Sequence, residues 1–250
     1  MFAEWPAETE RTPDAALDRR VWALGDLAIG LAILGLGFLA VIAIQVLLVG
    51  LGAVTDAGSI DAPRALLTLS FEALLGVVTL LLAVRRGLTW HDIGLRVPKR
   101  WRWVAATLVG VYAALVAYQL VLQLLARLGV DTSRVSGGNE LPVGDGASLA
   151  TWILLGVAVV VVAPIAEELF FRGLIFRALA GRMRVPAAYV LSGVVFAAFH
   201  LNLSVVVPFS AIGLVFAWAF WNSGSLWTTM VAHAVVNGLS FTIAVAGAVH

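Results

Sequence analysis

Long apolar runs constrain the fold of this chain more than any other feature of its sequence. The first extends over about residues 27–54 without a single charged side chain. About 20 apolar residues cross a bilayer as a helix, in which every backbone polar group has an internal partner. The sequence therefore predicts an all-α, polytopic membrane helix bundle with about seven transmembrane helices. The predicted spans are about residues 27–54, 65–84, 104–125, 147–179, 186–200, 204–221 and 226–249.

Composition excludes several other classes of protein. Of the 250 residues, 61% are hydrophobic and 12% charged, whereas a soluble domain has about half and a quarter. Sixteen basic against 15 acidic residues give no excess charge for binding phosphates, so we expect no nucleic-acid partner. The chain has no cysteine, which excludes disulfides, thiolate metal sites and a cysteine nucleophile.

Basic residues predict the orientation, because cytoplasmic loops are enriched in lysine and arginine. Thirteen of the 16 fall in the N-terminal segment, in the loop after the second span, or between Arg172 and Arg184 around the end of the fourth span. Arg64, Arg127 and Arg134 remain for the opposite side. We therefore expect a cytosolic N-terminal tail at 1–26, with no signal peptide, and a single transmembrane domain at 27–250. Its motif region lies at about 150–240.

Ionisable groups at bilayer depth are costly and call for a reason. In the fourth span, Glu168 and Arg172 are four residues apart and can pair on one helix face, which leaves Glu167 without a partner on its own helix. Such a carboxylate suits a general base, although a structural ion pair explains the segment equally well. Glu72, on the second span, also lies at membrane depth.

Two later spans add polar groups. Glu168 and His200 both lie about 20 Å from the turn between the fourth and fifth spans, so an antiparallel hairpin brings them to one depth. His233 and Asn237 share a face of the last span. Each of these groups, taken singly, is explained more simply as a core residue or a hydrogen bond between helices. Convergence of all three segments favours chemistry.

Together the three segments resemble the CAAX-protease and bacteriocin-processing family (CPBP, also called ABI) of intramembrane proteases. The family pattern E-E-x-x-x-R, F-x-x-x-H and H-x-x-x-N/D is read here, in order, as Glu167-Glu168-x-x-x-Arg172, Phe196-x-x-x-His200 and His233-x-x-x-Asn237. The approach to His233, from Asn222 to Trp227, is also similar. The resemblance covers about residues 150–240, while spans one to three match only as apolar helices.

The resemblance implies hydrolysis of a peptide bond within the membrane. Glu167 would be the general base that activates water, and His200 would help to hold and deprotonate that water. His233 and Asn237 would stabilise the oxyanion. Glu168 and Arg172, with Phe196, would orient these groups.

The ligand set leaves the question of a metal open. Glu167, His200 and His233 form a His₂Glu set that could hold zinc or another divalent ion. However, the chain has no H-E-x-x-H motif, and the family's glutamate-base description needs no ion. We expect chemistry without a metal.

Two other kinds of function use the same groups. A proton-coupled transporter could relay protons through Glu167, Glu168, His200 and Glu72, although the spans show no repeated halves. A scaffold or immunity protein would keep the site without using it. As substrates, we consider prenylated tails, bacteriocin leader peptides and membrane-anchored signalling proteins. The composition is compatible with a bacterial inner membrane.

Overall fold

The computed structural model describes residues 21–52, 60–138, 143 and 147–248, so most of the predicted tail lies outside the described residues. The described part is helical, and its one isolated β-bridge joins Ile60 and Val143. The predicted all-α bundle is thus confirmed. The described part contains seven main helices: α1 (Leu24–Gly50), α2 (Ala62–Arg85), α3 (Arg102–Arg127), α4 (Leu149–Ala180), α5 (Val185–Phe199), α6 (Val206–Ser223) and α7 (Leu226–Ala248).

Six of the described helices are long and apolar enough to cross a membrane, which makes this an integral membrane protein. They are α1 to α4, α7, and α6 together with the short 3₁₀ turn Leu203–Val205 before it. The predicted fifth span is helix α5, which has 15 residues and is therefore about 22 Å long. It is shorter than the roughly 30 Å of a bilayer core. Instead of seven full spans, the described part has six and this shorter apolar helix.

Helix α1 begins earlier than its apolar run because its start is fixed to the bundle. Trp22 is only 1% exposed, and its indole N–H donates to the carbonyl of Gly173 on α4 at 2.6 Å. Asp26 forms an ion pair with Arg86 at 2.7 Å. Trp22 and Asp26, both in the predicted tail, therefore pack against the bundle.

Helix α4 contains two π-helical segments, Val157–Val162 and Glu168–Phe176. In a π-helix each N–H bonds the carbonyl five residues earlier, and such segments are frequent at functional sites. Pro164 has no N–H for the carbonyl of Val159, five residues before it. The side-chain amide of Asn237 on α7 donates to that carbonyl at 2.9 Å. A tertiary contact thus replaces the missing backbone bond.

Helices α5 and α6 form a tight hairpin whose tip, residues 200–205, carries His200. Their backbones meet at Gly193 and Gly213, where a Cβ on Gly193 would lie 2.4 Å from the carbonyl oxygen of Ser210. Such an approach requires glycine. Next to the tip, Phe171 of α4 packs edge-on against Phe196 and Phe199 of α5. This packing brings the motif segment of α4 to the end of α5 that carries His200.

Candidate active site

A buried ion pair lies at the centre of the candidate site. Nη1 of Arg172 lies 2.9 Å from Oε1 of Glu168, and neither side chain is exposed. The guanidinium lies between two rings, 4.5 Å from the centroid of Phe196 and 4.9 Å from that of Phe216. Its Nη2 also donates to the carbonyl of Gly213 at 3.4 Å. The pair predicted from the i, i+4 spacing is therefore present, enclosed by α5 and α6.

His233 of α7 joins the third motif to the first. Its Nδ1 lies 3.1 Å from Oε1 of Glu168, and its Nε2 lies 3.9 Å from Oε2 of Glu167. The ring is 5% exposed and packs at a tilt on Phe216, with ring centroids 5.0 Å apart. When Nδ1–H donates to the Glu168 carboxylate, Nε2 is turned towards Glu167. The adjacent carboxylates thus face the two nitrogens of one imidazole.

His200 directly follows the last residue of α5 and lies one turn beyond Phe196. Its Nδ1 is 3.0 Å from the carbonyl of Phe196, so an Nδ1–H donates there and leaves Nε2 free to accept. The ring of Phe196 contacts both histidines, with centroids 5.0 Å from His200 and 6.1 Å from His233. The residue after His200, Leu201, has φ +50, a conformation that leucine adopts only at a cost in energy.

Asn237 lies one turn beyond His233 and faces the first π-helical segment of α4. One of its two amide hydrogens bonds the carbonyl of Val159. The other amide hydrogen of Asn237 remains available to donate. The structure thus gives Asn237 a structural contact besides the role that the resemblance implies.

The predicted metal ligands are only partly gathered. Glu167 and His233 face each other, while His200 bonds the backbone of its own helix. Among the residues that the structure describes, no group of three histidines or carboxylates is arranged to hold a metal ion. In this arrangement the His₂Glu set does not fit a metal site.

Glu72 of α2 is a further buried carboxylate near the site. Helix α2 packs closely on α4, since a Cβ on Gly76 would lie 3.3 Å from the Cβ of Ala166. Oε2 of Glu72 is buried without a hydrogen-bond partner among the described residues. The sequence identified Glu72 as a group at membrane depth but gave it no partner.

Sequence reasoning missed three residues of α6 that surround the motifs. Gly213 and Phe216 contact Arg172, and Phe209 packs edge-on against His200 with ring centroids 4.6 Å apart. In the sequence they belong to an ordinary apolar helix. Only the packing of α6 between α5 and α7 reveals them.

Comparison with known proteins supports the resemblance to this family. Residues 149–239 match the family model described as type II CAAX prenyl endopeptidase, Rce1-like, and this range includes all three motifs. The predicted resemblance to the CPBP family is thereby confirmed for that part of the chain.

One curated relative extends the comparison to a bacterium. It is the "Putative membrane peptidase YdiL" of Bacillus subtilis (strain 168), 32% identical over 77 residues. The aligned part is 31% of this chain and 32% of the relative, so the chain spans about a third of the relative's length. No solved structure matches the chain.

Proposed function

We propose that this protein is an intramembrane endopeptidase that hydrolyses a peptide bond of a membrane-associated protein or peptide. The observation that carries the proposal is the contact of His233 with both Glu167 and Glu168, which joins two of the three family motifs in one buried cluster. The match of residues 149–239 to Rce1-like endopeptidases supports the same class of reaction. The similarity to a Bacillus protein supports a bacterial inner membrane as the location.

Glu167 is the proposed general base. Its Oε2 is buried without a hydrogen-bond partner among the described residues, 3.9 Å from Nε2 of His233. That separation exceeds a hydrogen bond and suits a bridging water. Glu167 takes a proton from the water while the water oxygen attacks the carbonyl carbon of the substrate. The same proton then passes to the departing amine when the C–N bond breaks. His200, whose Nε2 is free to accept, helps to hold the water.

His233 and Asn237 are the proposed donors to the oxyanion. A protonated Nε2 of His233 can donate where negative charge develops on the substrate oxygen, and Asn237 offers the amide hydrogen that Val159 does not use. Donors held in place before the reaction contribute much of the rate in acyl transfer. Glu168 holds Nδ1 of His233, and Arg172 balances the charge of Glu168. These two side chains, with Phe196, position the donors.

A cleavage assay tests the proposal. Detergent-purified wild type, Glu167→Gln and His200→Ala are incubated with a library of membrane-tethered peptides, each with and without chelator. We expect cleavage by wild type to persist in chelator and to be lost in both variants, because each removes a group that activates the water. Loss in chelator with recovery on adding zinc would contradict the metal-free reaction and make Glu167, His200 and His233 ligands.

Glu72→Gln is the matched control, because it replaces another buried carboxylate outside the three motifs. We expect it to retain cleavage, because Glu72 takes no part in the proposed activation of water. If Glu72→Gln and Glu167→Gln instead both abolish proton flux in liposomes, and no variant cleaves peptide, the protein is a transporter and the protease proposal is wrong.

A further inference from the structure

A cavity of about 420 Å³ lies beside the tip of the α5–α6 hairpin. It is bounded by α3, by the segment 136–138 and by the start of α6, and the side chains of its lining that the structure describes are uncharged. Cavities of this size hold small ligands or a few residues of a peptide. None of the family motifs contributes to its lining.

The cavity adjoins the candidate active site, from which Phe209 separates it. This side chain forms part of the cavity wall, and its ring lies edge-on to His200, with centroids 4.6 Å apart. A molecule in the cavity is therefore separated from His200 by one aromatic ring. The cavity thus lies where residues flanking a scissile bond would have to be held.

The depth of the cavity places it in the extracytoplasmic half of the bilayer. Gln119 on its wall follows the predicted cytoplasmic start of α3, Arg102, by 17 residues, or about 25 Å. Its rim is fastened to the neighbouring elements: the hydroxyl of Tyr118 donates to the carbonyl of Val135, and that of Ser204 to the carbonyl of Arg134. The rim belongs to the connection that the basic-residue pattern puts outside the cell.

The lining matches a peptide better than a lipid chain. Gly137 and Gly138 add backbone polar groups to the lining, and Gly137 also packs closely on Ser204. Gln119 adds an amide that can both donate and accept hydrogen bonds on an otherwise mostly apolar wall. A hydrocarbon chain has no groups to pair with these, whereas an extended peptide has them at every residue.

We propose that this cavity binds an uncharged, extended stretch of a membrane-anchored peptide next to the scissile bond, and that the peptide enters from the extracytoplasmic half of the bilayer. The inference rests on the proposed endopeptidase function and adds the substrate class and the side of entry.

Cysteine labelling tests the side of entry and the occupant together, since the natural chain contains no cysteine. Ser136→Cys places a thiol on the cavity lining, and Ser133→Cys places a control thiol on the same connection outside the lining. Cells are treated from outside with a membrane-impermeant maleimide. We expect both thiols to react and only the Ser136→Cys protein to lose cleavage of the peptide library.

Protection of the Ser136→Cys thiol from labelling by a bound peptide can be measured without turnover of substrate. In a Glu167→Gln background, we expect uncharged membrane-tethered peptides from the library to slow labelling at Ser136→Cys but not at Ser133→Cys. Absence of protection, or labelling only after the membrane is opened, overturns the inference. If protection comes equally from lipid vesicles without peptide, the occupant is a lipid and the inference is likewise wrong.

A charge placed in the lining tests specificity. Gln119→Glu adds a carboxylate to the cavity wall, and Gln123→Glu makes the same change one turn along α3, outside the lining. We expect Gln119→Glu to lower kcat/KM for uncharged peptides roughly tenfold and to favour peptides with a lysine near the cleaved bond. Equal effects of the two variants would overturn the inference. Cleavage that survives Glu167→Gln would instead overturn the proposed function.

Discussion

Replacing Arg172 by methionine tests the buried ion pair at the centre of the site. Arg172 and Glu168 are 2.9 Å apart with no exposure of either side chain, and two aromatic rings flank the guanidinium within 5 Å. Removing one partner of such a pair leaves an uncompensated buried charge, which costs about 3–5 kcal/mol. Loss of the ring contacts adds about 1–2 kcal/mol. Methionine fills most of the volume, so the electrostatic cost dominates.

A double-mutant cycle separates this cost from a simple loss of packing. The free energy of unfolding in mixed micelles is measured for wild type, Arg172→Met, Glu168→Gln and the double variant. We expect the double variant to recover most of the stability lost in Arg172→Met, because no uncompensated charge is left. As a comparator, removing the partly exposed Arg86 from its pair with Asp26 should cost less than Arg172→Met, because Asp26 still accepts from the backbone N–H of Ala23.

Cleavage gives an independent reading of the same cycle. The double variant should be folded but slow, since Glu168 no longer holds His233 as a carboxylate. The reasoning is refuted if the two single costs simply add in the double variant, or if Arg172→Met costs no more than the Arg86 comparator.

Two substitutions test how the hairpin positions His200. Gly193→Ala should greatly lower both stability and cleavage, because its Cβ would lie 2.4 Å from a backbone oxygen. The control Gly35→Ala, with open space around it, should be neutral or slightly stabilising. Equal shifts of Tm in the two variants would contradict this contrast. Leu201→Gly should raise the free energy of unfolding by about 1 kcal/mol, because glycine adopts φ +50 without strain. The control Leu203→Gly should not raise it. A lower Tm for Leu201→Gly would argue against strain at the tip.

The fold was predictable because the bilayer permits few solutions. An apolar run such as 27–54 must be helical in a membrane, and the observed α1 differs from it mainly at its ends. The shift at the start comes from Trp22 and Asp26, which contact residues far along the chain. Helix α5 is shorter than a full span; it ends at Phe199, and the tip after it is hydrogen-bonded to the connection after α3 through Asn202 and Ser204.

Within the site, only local relations could be predicted. Glu168 and Arg172 pair because they are one helical turn apart. The end of α5 that carries His200 lies beside the motif segment of α4 because the two helices are joined by one turn. The contact of His233 with both glutamates depends on how α7 packs against α4. No periodicity in either helix specifies it.

The sequence by itself determined that this is a helical membrane protein whose polar groups are concentrated in three motifs, because hydropathy and helical spacing are local properties. The tertiary structure alone decided what surrounds each polar group. Three features depend on contacts between helices that are distant in sequence. They are the packing of Phe216 on Arg172, the hydrogen bond from Asn237 to the carbonyl that Pro164 leaves unpaired, and the cavity next to Phe209. Packing between helices is set by the shapes of many side chains together, and no short pattern encodes it.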